Sequence, residues 1–135
     1  VNNSDADNIL FFHGDLYFGQ NLIDNLDYSR SFVLASSSMM NDREVGVTRV
    51  KNKATIFSHG LDLKWCQIVY LCGKELKLLR QLFIKHSEET KKMLTFEVLN
   101  LIINKGGNIK GIEPQDGSIL EIDCMKDLKN ENFNI

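Results

Sequence analysis

The sequence predicts an α/β fold built on a mixed sheet flanked by helices, and three stretches predict it. Asn8 to Asp15 holds an unbroken apolar run that stops abruptly at Gly14-Asp15, the pattern of a strand covered on both faces in a parallel sheet. Glu44 to Val50 and Ala54 to Ser58 flank Lys51-Asn52-Lys53, the pattern of a hairpin with a short polar turn, so antiparallel strands accompany the parallel ones. From Lys74 to Lys85, Leu76, Leu78, Leu79, Leu82 and Phe83 recur at helical spacing, which gives that helix an apolar face to lay on the sheet.

The remaining elements follow in order. Val1 to Asp7 is a polar lead-in and Asn8 to His13 the first strand. Gly19 to Leu26 is a short helix whose apolar positions are Leu22, Ile23 and Leu26. Ser31 to Ser36 is a second apolar strand. Ser37 to Arg43 is a polar link whose Met39 and Met40 suit gap-filling core contacts better than a ligand box. Ser58 to Leu63 reads as a loop carrying His59, and Trp65 to Leu71 as a strand whose Trp65 and Tyr70 are expected in the core. Thr95 to Asn104 repeats the helical spacing through Phe96, Val98, Leu99, Ile102 and Ile103, and Lys105-Gly106-Gly107 supplies its stop. Lys85 to Lys92, between the two helices, reads as a solvated face. Asn108 to Ile112 is another strand, leading through Glu113-Pro114-Gln115-Asp116-Gly117 into Ser118 to Ile122, after which Asp123 to Asn132 reads as a helix. No repeat or linker divides the chain, so residues 1–135 are expected to form a single domain or part of one.

Composition narrows the function classes. With 16 basic against 18 acidic residues and no Lys/Arg block, nothing in the sequence tracks a nucleic-acid backbone. No apolar run approaches the roughly 20 residues that cross a bilayer, and the polar start Val1-Asn2-Asn3-Ser4-Asp5 lacks signal-peptide character. The expectation is a soluble, cytoplasmic protein with neither membrane nor nucleic acid as partner. Cys66, Cys72 and Cys124 are odd in number and lack Cys-x-x-Cys spacing, which argues for reduced thiols rather than disulfides or structural zinc. No positioned base marks Cys66 or Cys124 as a nucleophile.

Carboxylates carry the chemical signal. In open α/β sheets ligands bind beyond the carboxyl ends of the strands, where Asp15 and Asp123 are expected. Strand alternation puts Glu121 on the same side as Asp123. A single acid at a strand-to-helix junction is ordinarily a helix cap, but two on one face with a second strand-end acid far upstream suggest a site. His59 is a further candidate for contact with substrate, although a lone loop histidine is more often a surface residue.

The stretch Phe12-His13-Gly14-Asp15-Leu16-Tyr17-Phe18 resembles the Gly-Asp strand end of the sugar- and alcohol-phosphate nucleotidyltransferases. Three further pieces stand in that family's order: the Glu44 to Ser58 hairpin, the Thr95 to Ile112 stretch with Leu-Asn-x-x-Ile and Gly-Gly, and Glu121-Ile122-Asp123 followed by Asp127-Leu128. The likeness extends over most of the chain and is greatest to the branch that contains phosphocholine cytidylyltransferase.

This resemblance implies a Rossmann-like nucleotidyltransferase fold of the GT-A kind, of which the chain is the C-terminal part. Asp15 and Asp123 would hold Mg²⁺, with Glu121 beside them. It further implies transfer of a nucleotidyl group from a nucleoside triphosphate, CTP favoured, to a phosphorylated sugar or alcohol. Two features depart from the family's pattern: Ser58-His59-Gly60 stands where relatives often place a lysine, and Gln67 where a glycine is usual. The family's glycine-rich, arginine-containing loop has no counterpart in this sequence, so the isolated chain is expected to be inactive. The alternative is a shortened, non-catalytic binding module that keeps the fold. An exposed sheet edge in either case suggests a homo-oligomer.

Overall fold

The structure of the chain, a computed structural model, describes residues 7–12, 16–37, 44–61, 63–85, 88, 95–114 and 119–121. In chain order the elements are β1 (Asn8–Phe12), β2 (Leu16–Phe18), α1 (Gln20–Asp24), β3 (Phe32–Ser36), β4 (Val45–Val50), β5 (Lys53–His59), β6 (Leu63–Cys72), α2 (Gly73–Lys85), α3 (Thr95–Asn104), β7 (Lys110–Ile112) and β8 (Ile119–Glu121). Six strands form a mixed sheet in the order β1-β6-β3-β7-β5-β4, and β2 pairs with β8 in a separate ribbon. The expected class, a mixed sheet with flanking helices, is therefore observed.

β3 is the centre of the molecule, antiparallel to β6 on one side and parallel to β7 on the other. Its side chains alternate between two packed layers, as strand geometry dictates. Val33 and Ala35 point into a cluster with Leu76, Leu79 and Leu82 of α2 and Val98, Leu99 and Ile102 of α3. Phe32 and Leu34 point the other way, into a cluster with Ile68 and Tyr70 that Phe18, Leu22 and Leu26 cover. Both faces being covered, β3 needs no polar alternation, and each fully buried large side chain contributes roughly 1.5–3 kcal/mol.

The same reasoning misplaces β1. Expected as a fully buried parallel strand, it is an antiparallel strand at the end of the sheet order, paired with β6 from Asn8↔Cys72 to Phe12↔Ile68. Ile9 and Phe11 pack on one cluster and Leu10 on the other. An apolar run thus reports two covered faces; it carries no information on whether the strand's flank is covered, and Phe12 is 53% exposed.

The hairpin forms as expected, with a tighter turn. Val50 pairs with Lys53, and Lys51 and Asn52 between them both adopt left-handed backbone, φ 52° and 66°. That is the two-residue turn whose twist matches the strands. β5 continues through His59, which pairs with Val45, so His59 belongs to a strand and not to a loop. β4 also pairs with the start of β6, Gly46 opposite Lys64 and Val47 opposite Leu63, so β3, β7, β5, β4 and β6 close into a circuit. Gly46 permits this approach, since a Cβ there would lie 2.9 Å from the Leu63 carbonyl oxygen.

α3 ends where the sequence predicts. Gly106 N–H donates to Ile103 O at 3.0 Å and Gly107 N–H to Ile102 O at 2.9 Å, the paired bonds of a Schellman motif, with Gly106 at φ 93°. The expected helix after Glu121, the Met39-Met40 link and most of the Lys85 to Lys92 segment lie outside the described residues.

Candidate functional site

β1 and β3 both run antiparallel to β6, and β7 runs parallel to β3. The carboxyl ends of β1, β3 and β7, at Phe12, Ser36 and Ile112, therefore face one end of the sheet, the end at which ligands bind in α/β folds. Each exit leads into polar sequence. β1 leads into His13-Gly14-Asp15, β3 into Ser37, and β7 into Glu113.

Glu113 is a described carboxylate at this end, as is Glu44, whose Oε1 lies 3.3 Å from the Nζ of Lys64, the partner of Ser36; sequence reasoning passed over Glu113 as part of a link. Its Oε1 accepts the Ser37 N–H at 3.2 Å and its Oε2 lies 3.5 Å from Arg49 Nη2. Arg49 Nη1 also donates to Gly111 O at 3.1 Å. Hydrogen bonding from Ser37, with a smaller contribution from the Arg49 charge, holds the Glu113 carboxyl below its ordinary range. The available signal was an acid directly after an apolar strand, the same signal that singled out Asp15.

The ribbon of β2 and β8 joins the two ends of the chain. Leu16 pairs with Glu121, Tyr17 with Leu120 and Phe18 with Ile119. Phe18 meets Phe12 edge to face, ring centroids 5.5 Å apart, which ties the ribbon to β1. Leu16 follows Asp15 directly in the chain, and Glu121 precedes Asp123 by two residues. Glu121 itself is the last residue of β8. Asp15 and Asp123 lie outside the described residues.

His59 sits apart from this arrangement in the pairing scheme, at the end of β5. Its Nδ1 lies 3.2 Å from Glu44 O, placed for the imidazole N–H to donate, and its ring meets Phe96 edge to face at 5.6 Å. Gln67, where the resemblance expects glycine, has φ 62°. Val33 pairs with Val69 and Ala35 with Trp65, so Cys66, Gln67 and Ile68 bulge opposite Leu34. The left-handed backbone there is the conformation glycine adopts without strain. The Gln67 Oε1 is buried without a hydrogen-bond partner among the described residues. Trp65 and Tyr70 are core residues, 4% exposed each, as expected.

Among the described residues, no group of three or more His, Cys, Asp or Glu could hold a metal ion, and no helix is long and apolar enough to cross a membrane. No family model matches the chain, and no curated protein does.

Solved structures do share its fold. The inositol-1-phosphate CTP transferase of T. maritima superposes with a TM-score of 0.70 at 13% identity, over 97% of this chain and 55% of its own. The CTP:phosphocholine cytidylyltransferase of Streptococcus pneumoniae gives 0.63 at 16% identity, over 88% of this chain and 54% of its own. The nucleoside-diphosphate-sugar pyrophosphorylase of Vibrio cholerae gives 0.58 at 16% identity, over 84% and 51%. The chain has the Rossmann-like fold of these nucleotidyltransferases and spans about half the length of the solved structures it matches.

Proposed function

We propose that this chain supplies the acceptor-binding half of a nucleotidyltransferase site, joining a nucleotidyl group from a nucleoside triphosphate, CTP favoured, to a phosphorylated sugar or alcohol. The observation that carries the proposal is the pairing of Leu16 with Glu121 in a fold shared with nucleotidyltransferases. That pairing draws together the neighbours of Asp15 and Asp123, more than a hundred positions apart in sequence.

The donor chemistry fits magnesium, which takes oxygen ligands and is bound by one or two carboxylates together with substrate phosphates. Asp15 and Asp123 would hold it, and when bound it supplies positive charge that screens the repulsion between the two anionic reactants. Glu121, two residues before Asp123 in the sequence, is proposed to contact substrate, as is His59. In the reaction a phosphate oxygen of the acceptor attacks the α-phosphorus, forming a new P–O bond as the bond to pyrophosphate breaks. The electron pair of that broken bond leaves with pyrophosphate. No covalent enzyme intermediate is needed.

The isolated chain is proposed to bind a phosphorylated acceptor without turning it over. Incubation with CTP, Mg²⁺ and a panel of phosphorylated sugars and alcohols tests this. The expected result is no pyrophosphate from the chain alone, with Mg²⁺-dependent acceptor binding that Asp15→Asn and Asp123→Asn remove. Acceptor binding unchanged in both variants overturns the proposal.

A further inference from the structure

Beside the amino-terminal ends of β3 and β7, three segments meet around a cleft of about 460 Å³. They are the entry to β3, the tip of the β4–β5 hairpin and the start of β7. Four cations line the cleft, Arg30, Lys51, Lys53 and Lys110, with no Asp or Glu among its lining residues. In a chain of net charge −2 this is a local reversal of sign. None of the four forms an ion pair with another described residue.

Backbone hydrogen bonds join the segments that carry the cluster. Lys110 N–H donates to Ser31 O at 2.9 Å, Gly111 N–H to Asn52 O at 2.8 Å, and Ala54 N–H to Ile109 O at 2.7 Å. These backbone bonds tie all three segments to one another. Beneath them Glu75, 8% exposed, accepts from Ser31 Oγ at 2.9 Å and from the Asn108 N–H at 3.1 Å, so its oxygens are already engaged.

Two details bear on the charge of the cleft. Lys53 and Lys110 are direct cross-strand partners, an arrangement in which like charges destabilise the pair. Nearby Asp27 accepts from the Ser29 hydroxyl at 2.6 Å and from the Ser29 N–H at 3.0 Å. Its carboxyl is held below the ordinary range first by Ser29, with smaller contributions from Lys110 and Arg30. Asp27 therefore offsets part of the positive charge of Lys110 and Arg30.

The geometry points to a binding site for an oligophosphate, a ligand carrying at least two linked phosphates, at the amino-terminal ends of β3 and β7. Four converging cations exceed what one phosphate needs, and the cleft lies within the size range of small-molecule sites. Arg30 offers a planar fork for a phosphate and the three lysines offer mobile point charges. Asn52 and Asn108 add uncharged polar groups, and Val50, 56% exposed, provides an apolar surface at the rim. None of its lining residues is among those proposed for magnesium.

Titration of inorganic pyrophosphate into the full chain at low salt with EDTA tests it by calorimetry. One site per chain is expected, weakened by added salt and at least roughly tenfold by the double substitution Lys53→Gln/Lys110→Gln. Asp15→Asn leaves this binding unchanged, which separates the proposal from the magnesium site. A parallel titration with CTP distinguishes the sources: binding tenfold tighter than pyrophosphate identifies a nucleotide, and equal binding identifies free pyrophosphate. Failure of both ligands to bind, or binding that survives the double substitution, overturns the proposal. Lys53→Gln alone guards against misfolding, since removing a like-charge pair leaves Tm at or above that of the unsubstituted chain. The rise in Tm caused by pyrophosphate must shrink in that variant; an undiminished rise also overturns the proposal.

Discussion

The two ends of β3 and β7 carry different charges. At the carboxyl ends of β1, β3 and β7 stand Glu113 and the ribbon that pairs Leu16 with Glu121; at the amino-terminal ends of β3 and β7 stand Arg30, Lys51, Lys53 and Lys110. Both are assembled from segments far apart in sequence. The β4–β5 hairpin reaches both, since Arg49 meets Glu113 while Lys51 and Lys53 line the cleft, and the substitutions below test whether the two respond separately.

Glu75→Ala should have the largest effect, because it strikes the support of the cationic end. The loss leaves Ser31 Oγ without one partner and the Asn108 N–H without its acceptor, and we expect about 2–4 kcal/mol of destabilisation in urea unfolding. Pyrophosphate binding should weaken with it, while Mg²⁺ binding persists. Loss of both together would mean that the two ends do not behave separately.

Gln67→Gly should act in the opposite direction at the other end. It removes left-handed strain at φ 62° and an unpartnered buried oxygen, and should stabilise the chain by about 1 kcal/mol. A lower Tm would show that the glutamine side chain makes a compensating contact.

The smallest expected effect is in acid, and both ends share it. Glu113 and Asp27 have carboxyls held below their ordinary range, by Ser37 and Arg49 and by Ser29 respectively. A depressed carboxyl contributes stability that is present above the unfolded value and lost as pH falls through the folded one. Tm should therefore decline as pH drops below the ordinary values of 4.5 for Glu113 and 3.8 for Asp27. Glu113→Gln and Asp27→Asn should each flatten the acid limb slightly. An unchanged limb in Glu113→Gln would mean that its bonds to Ser37 and Arg49 do not persist in solution.

The contrast between the ends also explains what the sequence could convey. Periodicity located α2, α3, the hairpin and the central β3, because local spacing decides which residues face a core. It also located the Gly106-Gly107 stop, whose chemistry lies within one turn of helix. It misjudged β1, since Ile9, Leu10 and Phe11 touch both layers whether or not a neighbouring strand covers the flank. Glu113 was missed although its signal was local. The four cations had no local signal: Lys51 and Lys53 lie at the hairpin tip, and only the pairing of Lys53 with Lys110 and the bond from Gly111 to Asn52 bring the others to them.

Our proposal stands on Asp15 and Asp123, which adjoin β2 and β8 in the sequence, binding one divalent cation together. Calorimetric titration of Mg²⁺ into the full chain, and into Asp15→Asn and Asp123→Asn, addresses it most directly. The account predicts weak binding to the unsubstituted chain that each substitution alone abolishes. Unchanged binding in either variant would contradict it.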